Sequence, residues 1–283
     1  MNMRLLLILT IAWTIQAGVV KKDKKCDGVF VNNKYYDIEV LKSDIDRPYL
    51  LATDYSRNTV YFSYSVNSED DVFKTAYVNL NTKEFGDIQG VNNGFAQSVD
   101  QETHNVYIGS NDGIYKYDQK TKKAELVAGK YDIWSIYYKD DIIYFSTFPG
   151  QFLHSVVNGQ VERVKDLEDT KVDAFILDNE DVFFFTNNTG LYSQKKGTKV
   201  AELYQEFPNE AVRGMAMDIH GKVYVCLQDG IYTIDKTTVS LQKVLELNDG
   251  FGVAFDNENN IVYSDATNLV RLKPNNDKAC GLS

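Results

Sequence analysis

The sequence predicts an all-β fold: a six-bladed β-propeller of four-stranded antiparallel blades, closed into a ring by an N-terminal strand. Three observations predict it. The phrase Asn105-Val106-Tyr107-Ile108-Gly109-Ser110-Asn111-Asp112-Gly113-Ile114-Tyr115 returns as Lys222-Val223-Tyr224-Val225-Cys226-Leu227-Gln228-Asp229-Gly230-Ile231-Tyr232, with a blurred copy from Asp181 to Tyr192. Val60-Tyr61, Val106-Tyr107, Ile143-Tyr144, Val182-Phe183, Val223-Tyr224 and Val262-Tyr263 recur at spacings of 46, 37, 39, 41 and 39 residues. Such a period is about the 40 residues of one propeller blade. The last unit is too short for four strands, while a strand without a blade stands near the start.

In chain order, residues 1–17 read as a secretory signal peptide and residues 18–283 as a single propeller domain. A basic start ends at Arg4, an apolar run covers residues 5–15, and Ala17 precedes a cut near Gly18. The eleven-residue run falls short of the roughly 20 residues that span a bilayer, so a cleaved leader is expected rather than the rival membrane anchor. Without it the chain carries 29 basic and 40 acidic side chains, a net charge of −11 in place of −10. A surface of that sign repels nucleic acid and anionic lipid and argues against both as partners. The basic cluster Lys21-Lys22-Asp23-Lys24-Lys25 reads as a solvated tail.

A leader implies an oxidising compartment, where cysteines pair. Joining Cys26 to Cys280 ties the two ends and leaves Cys226, inside an apolar strand phrase, as a buried thiol. Pairing Cys226 with either end is the competing arrangement. No Cys or His pair has the spacing of zinc ligands.

Residues 35–41 have strand composition and no blade of their own. Each unit then reads alike. An inner strand ends at a turn (Val99-Asp100, Leu177-Asp178, Met217-Asp218, Phe255-Asp256), and the Val-Tyr strand follows. A tight Asp-Gly or Thr-Gly turn leads to a third strand (residues 114–117, 231–234), then a Lys/Thr-rich turn and an outer strand (residues 200–204, 241–245). Asp-Gly between alternating runs is a hairpin signal, with positive φ expected at the turn. The sixth unit stops after residues 269–272 at Pro274-Asn275-Asn276-Asp277. Residues 35–41 are expected to complete it, which removes a sheet edge and brings Cys26 to Cys280.

Familiar catalytic phrases are missing: there is no P-loop, GxGxxG, HExxH or GxSxG. His104, His154 and His220 stand alone and read as ordinary turn and surface residues. Asp256-Asn257-Glu258-Asn259-Asn260 opens like a calcium loop but has Ile261 in place of the glycine and Thr267 in place of the bidentate Glu. The same turn recurs at Asp54 and Asp178, so it is read as scaffold. Asn187-Asn188-Thr189 is the single glycosylation sequon, and Asn187 is expected to carry a glycan.

Propeller ligands sit at the channel mouth, near the starts of inner strands and the turns between second and third strands. The expected ligand-binding set is Arg47, Tyr49, Phe95, Trp134, Phe148, Arg213, Met215 and Phe251. Large rings beside Met215 and two arginines suit a flat aromatic ligand with acidic groups. The competing reading has these rings wedging neighbouring blades together.

The leader, the terminal cysteines and the blade phrases together resemble the ommochrome-binding proteins of moth and butterfly haemolymph. The likeness runs from Lys22-Asp23-Lys24-Lys25-Cys26-Asp27-Gly28 through Asn111-Asp112-Gly113-Ile114-Tyr115 to the Cys280 end. That resemblance implies a secreted carrier for ommatin pigments, which are tryptophan-derived phenoxazinones, with no chemistry performed on the pigment. No cofactor is expected, and a closed propeller with so acidic a surface is expected to be a monomer. Two other classes compete. Gluconolactonase-type propellers hold a catalytic calcium with an inner Glu, two Asn and an Asp, where this chain starts its inner strands with Asp46-Arg47-Pro48-Tyr49, Phe95, Trp134 and Phe251 and offers only Asp173 and Asn111. Protein-interaction propellers of the low-density-lipoprotein-receptor type carry Tyr-Trp-Thr-Asp where this chain has Val-Tyr-Ile-Gly or Val-Tyr-Phe-Ser.

Overall fold

The second strand of the first unit, Thr59–Asn67, buries both members of its Val-Tyr pair completely. A strand that is apolar on both faces needs cover on both, and neighbouring blades stacked around an axis supply it. The computed structural model, which describes residues 26–67, 72–207, 212–276 and 280, has this arrangement: six antiparallel sheets in a ring. The expected leader and basic cluster lie outside the described residues. Among those residues no helix is long and apolar enough to cross a membrane.

The inner strands are Tyr49–Asp54, Gly94–Val99, Ile133–Lys139, Phe175–Leu177, Gly214–Met217 and Gly252–Phe255, in blades 1 to 6. Blades 1 to 5 meander outward in sequence order, as do the first three strands of blade 6, so every inner strand starts at one mouth of the channel and ends at the other. The core is divided among the blade interfaces. One cluster joins Tyr61 and Tyr77 of blade 1 to Val106 and Ile108 of blade 2, and five like it complete the circle.

Blade 6 has only three strands of its own. Lys34–Lys42 pairs antiparallel with Leu269–Pro274 and completes it, with Ile38 opposite Leu272 and Glu39 opposite Arg271. A fifth strand, Val29–Val31, adds to the outside and was not expected. Cys26 is bonded to Cys280 with Cα atoms 5.6 Å apart, and Cys226 is a buried free thiol, so the competing pairing does not occur.

The recurrent Asp turns are scaffold. The buried carboxylates of Asp178, Asp218 and Asp256 each accept the backbone N–H groups two and four residues on, as Asx turns do. Val200, expected in the outer strand of blade 4, lies one residue before its start at Ala201 and is 81% exposed.

The turn glycines have a different cause from the one expected. Gly190 and Gly230 do not have positive φ; of the three equivalent positions only Gly113 does. What they share is the fourth strand. A Cβ at Gly113, Gly190 or Gly230 would run into the carbonyl oxygen of Ala128, Gln205 or Leu245. The outer strand bulges nearby in each of these blades, between Leu126 and Ala128 and opposite Leu191/Tyr192 and Ile231/Tyr232. Gly230→Ala is therefore expected to cost about 1–3 kcal/mol through forced backbone movement, read from urea unfolding. An unchanged midpoint would remove this explanation.

Candidate functional site

At the mouth where the inner strands begin, three of those strands carry a β-bulge. In blade 2 Gly94 faces Ser110 and Ala96 faces Gly109, which leaves Phe95 as the extra residue. In blade 3 Ile133 faces Thr147 and Ser135 faces Ser146, which leaves Trp134. In blade 1 the extra residue falls between Tyr49 and Ala52, where Leu50 adopts a φ of 51°. A bulge re-aims the side chain it frees. Here it turns large rings out of the pleat.

The rings meet in a continuous arc. Centroid separations are 5.3 Å for Phe251 and Tyr49, 5.6 Å for Tyr49 and Phe95, 5.0 Å for Phe95 and Trp134, and 5.6 Å for Trp134 and Phe148. These are the tilted and edge-on contacts that aromatic quadrupoles favour. The arc crosses blades 6, 1, 2 and 3. Its far end is held by the turn after Thr147, where the Phe148 N–H donates to the Asp132 carbonyl at 2.9 Å. Trp134 and Phe148 remain 39% and 52% exposed, so the end of the arc has open ring surface.

Both arginines stand at the arc. The Arg213 guanidinium lies 4.4 Å from the centre of the Phe251 ring and donates to Asp249 at 2.7 Å and to the Gly250 carbonyl at 3.1 Å. Arg47 pairs with Asp46 at 3.0 Å and donates to Ser65 at 3.1 Å. Partly exposed ion pairs of this kind contribute little to stability, and a guanidinium has five N–H donors. Burial pushes the Tyr49 hydroxyl above its ordinary value, against the opposing pull of Arg47, so the phenol is neutral at physiological pH. In blade 4 the arc gives way to Asp173, whose carboxyl is raised by burial and accepts from the Gln151 amide.

Beyond the arc, between the six inner strands, lies a cavity of about 190 Å³. Of the eight expected residues only Met215 lines it; the other seven stand outside its wall. At the opposite end Tyr55 reaches from blade 1 to blade 5 and donates to the Met217 carbonyl at 3.0 Å. Gln101 braces it, accepting the Tyr55 N–H at 3.2 Å and donating to the Thr53 carbonyl at 2.7 Å. The desolvated Tyr55 hydroxyl is pushed up to about 12.

Two kinds of residue escaped the sequence reading. Phe73 packs 4.7 Å from Phe95 and 5.9 Å from Tyr49. It lies on the third strand of blade 1, Val72–Asn79, whose hairpin with the nine-residue Thr59–Asn67 is unusually long. The 46-residue first spacing was the available signal. Tyr55, Gln97 and Thr53 on the cavity wall left none, because strand registers decide what faces the channel. Asn187 lies in the turn 187–189 of blade 4, its carboxamide oxygen accepting from Thr189 N at 2.9 Å and Thr189 Oγ1 at 2.6 Å.

Fold and site define a six-bladed propeller with a recessed channel and one mouth lined by rings. No protein-family model matches the chain. It is 35% identical over 276 residues to the ommochrome-binding protein of Manduca sexta, which covers 95% of this chain and 98% of that one. This chain belongs to the ommochrome-binding protein family. Solved propellers share the fold at much lower identity. A gluconolactonase of Xanthomonas campestris matches at TM-score 0.70 and 11% identity over 88% of this chain and 96% of its own. The calcium-binding protein regucalcin of Agrobacterium tumefaciens matches at 0.63 and 10%, over 85% and 96%. At such identities the likeness is one of fold alone.

A calcium in the channel would need several hard oxygen donors converging. The cavity wall here offers no carboxylate, and Asp173 is bonded to Gln151. Among the described residues no three His, Cys, Asp or Glu side chains come together as metal ligands. The residues present do not fit the ion.

Proposed function

We propose that this protein is a secreted, monomeric carrier that binds an ommatin-type pigment non-covalently at the ring-lined mouth and leaves it chemically unchanged. The single observation that carries this reading is the arc from Arg213 and Phe251 to Trp134 and Phe148, together with family membership. Rings supply broad stacking area at low entropic cost, and Arg213 and Arg47 supply donors for acidic groups on the ligand's rim. The open faces of Trp134 and Phe148 offer the first surface on which a planar ligand can lie. Haemolymph is proposed as the site of action on the strength of the leader read in residues 1–17 of the sequence.

Titration with an ommatin should produce a saturable spectral shift at micromolar protein and quench the fluorescence of Trp134, whose only companion in the chain is Trp13. Trp134→Ala and Arg213→Ala should each weaken binding roughly tenfold or more, the cost of losing a central ring or a charge-assisted hydrogen bond. Unchanged affinity in both variants would reject this site. The hydrolase reading, which draws on the fold shared with gluconolactonases, requires lactone hydrolysis that a chelator abolishes. Finding such activity would displace the carrier reading.

A further inference from the structure

We propose that the channel cavity behind the aromatic arc is a second part of the ligand site, one that takes an uncharged ring edge bearing an N–H or O–H donor, with Gln97 Oε1 and Thr53 Oγ1 as its acceptors. This rests on the carrier reading and adds to it the orientation and chemical class of the ligand.

Two buried polar atoms carry the inference. Gln97 and Thr53 are 6% and 7% exposed, and both line the cavity. Gln97 Oε1 and Thr53 Oγ1 have no hydrogen-bonding partner among the described residues. Unsatisfied buried oxygens are uncommon and call for an explanation. The other atoms in that condition, on Asp54, Thr75 and Arg163, do not belong to the cavity wall.

The Gln97 amide is held in one orientation. Its Nε2 donates to the Phe95 carbonyl at 2.7 Å, so the amide cannot flip without losing that bond, and Oε1 is left as a pure acceptor. The same bond ties this acceptor to the backbone of an arc residue, so the mouth and the cavity are one connected structure. Thr53 is fixed through its own carbonyl, which accepts from Gln101.

Size and charge narrow the class. A cavity of about 190 Å³ is somewhat larger than the ~150 Å³ apolar cavity known to admit benzene, so it has room for one ring with a small substituent and not for a fused tricycle. The wall has no acidic or basic side chain, so an ionised group entering it would lose its hydration without compensation. The acidic rim of the ligand therefore stays with Arg213 and Arg47, and the opposite, neutral edge points inward.

The test uses two probes that differ by one amino group: phenoxazin-3-one and 2-aminophenoxazin-3-one, titrated by Trp134 quenching. The amino compound should bind wild-type protein on the order of tenfold more tightly, since a site built around buried acceptors rejects the analogue that lacks the donor. In Thr53→Val and in Gln97→Met the ratio of the two affinities should fall to near one. Reading the ratio cancels any general change in the mouth, and continued binding of the parent compound reports that each variant is folded. Equal affinities in wild type, or a preference that survives both substitutions, overturn the inference while leaving the carrier reading in place; the cavity then holds water only. If neither probe nor an ommatin binds, both fall together.

Discussion

Arg271→Leu should lower the stability of the folded chain by about 3–5 kcal/mol, the usual cost of removing one partner from a buried ion pair. Arg271 is 4% exposed and sits where the ring closes. It donates to Glu39 of the closing strand at 2.8 Å, to the Leu80 carbonyl of blade 1 at 2.8 Å, and to Asp256 at 3.4 Å. One side chain thus joins blade 6, the N-terminal strand and blade 1. Without it the buried carboxylate of Asp256 loses its cation, and Glu39 keeps only Lys83 at 3.3 Å and Lys273 at 3.4 Å.

Acid should act through the same contact. Burial pushes the Glu39 carboxyl up, but the hydrogen bond and charge of Arg271 outweigh it and hold the group below its ordinary value of 4.5. A carboxyl depressed in the folded state binds fewer protons than in the unfolded chain. Its contribution is fully present above pH 4.5 and is lost as pH falls below that value. Urea unfolding of wild type, Arg271→Leu and Glu39→Gln at pH 7 and at pH 4 checks both parts. A loss below about 1 kcal/mol in Arg271→Leu, well short of the usual cost, would mean that the closing strand is held by its ladder and apolar contacts alone.

Breaking the terminal disulfide should have a comparable effect. Cys26 and Cys280 are 254 residues apart, and the chain-entropy relation values so long a closure at about 5 kcal/mol, with losses of about 2–5 kcal/mol typical when native bridges are removed. The bond joins the ends of the two segments that pair to complete blade 6, so opening it frees the closing strand to fray from the outside. Cys26→Ser with Cys280→Ser should lower the unfolding midpoint by on the order of 10 °C, and reductant should do the same to wild type and nothing to the double variant. Identical midpoints with and without reductant would show that the strand pairing closes the ring unaided. Cys226 is not expected to substitute, since burial against the interface of blades 5 and 6 pushes its thiol up to about 12.

The two closure devices differ in how legible they were. The disulfide followed from counting: three cysteines, one inside a strand phrase and two at the ends. The Arg271 contact did not, because nothing in Leu269–Pro274 marks one arginine as buried until Glu39 is placed opposite it by register. The mouth divides in the same way. Tyr49, Phe95, Trp134, Phe251 and Arg213 could be singled out because they begin inner strands, and repeats are most informative where they differ. That these rings touch one another, with Phe73 among them, depends on bulges in three inner strands. A bulge is one extra residue in one strand, invisible until the partner's register is known.

The sequence by itself determined the repeat, the number of blades and the closing strand, and favoured pairing the terminal cysteines over a bond to Cys226. Each of these rests on local pattern or on counting, since a strand apolar on both faces, recurring every 40 residues or so, can be covered only by its own copies. It also marked the Asp turns as scaffold. Tertiary structure alone decided why the turn glycines are glycine, which rings meet, and that Gln97 and Thr53, each with a buried unpartnered oxygen, line the channel. Those properties belong to contacts between segments distant in the chain, where a shift of one residue in register turns a side chain from one face to the other.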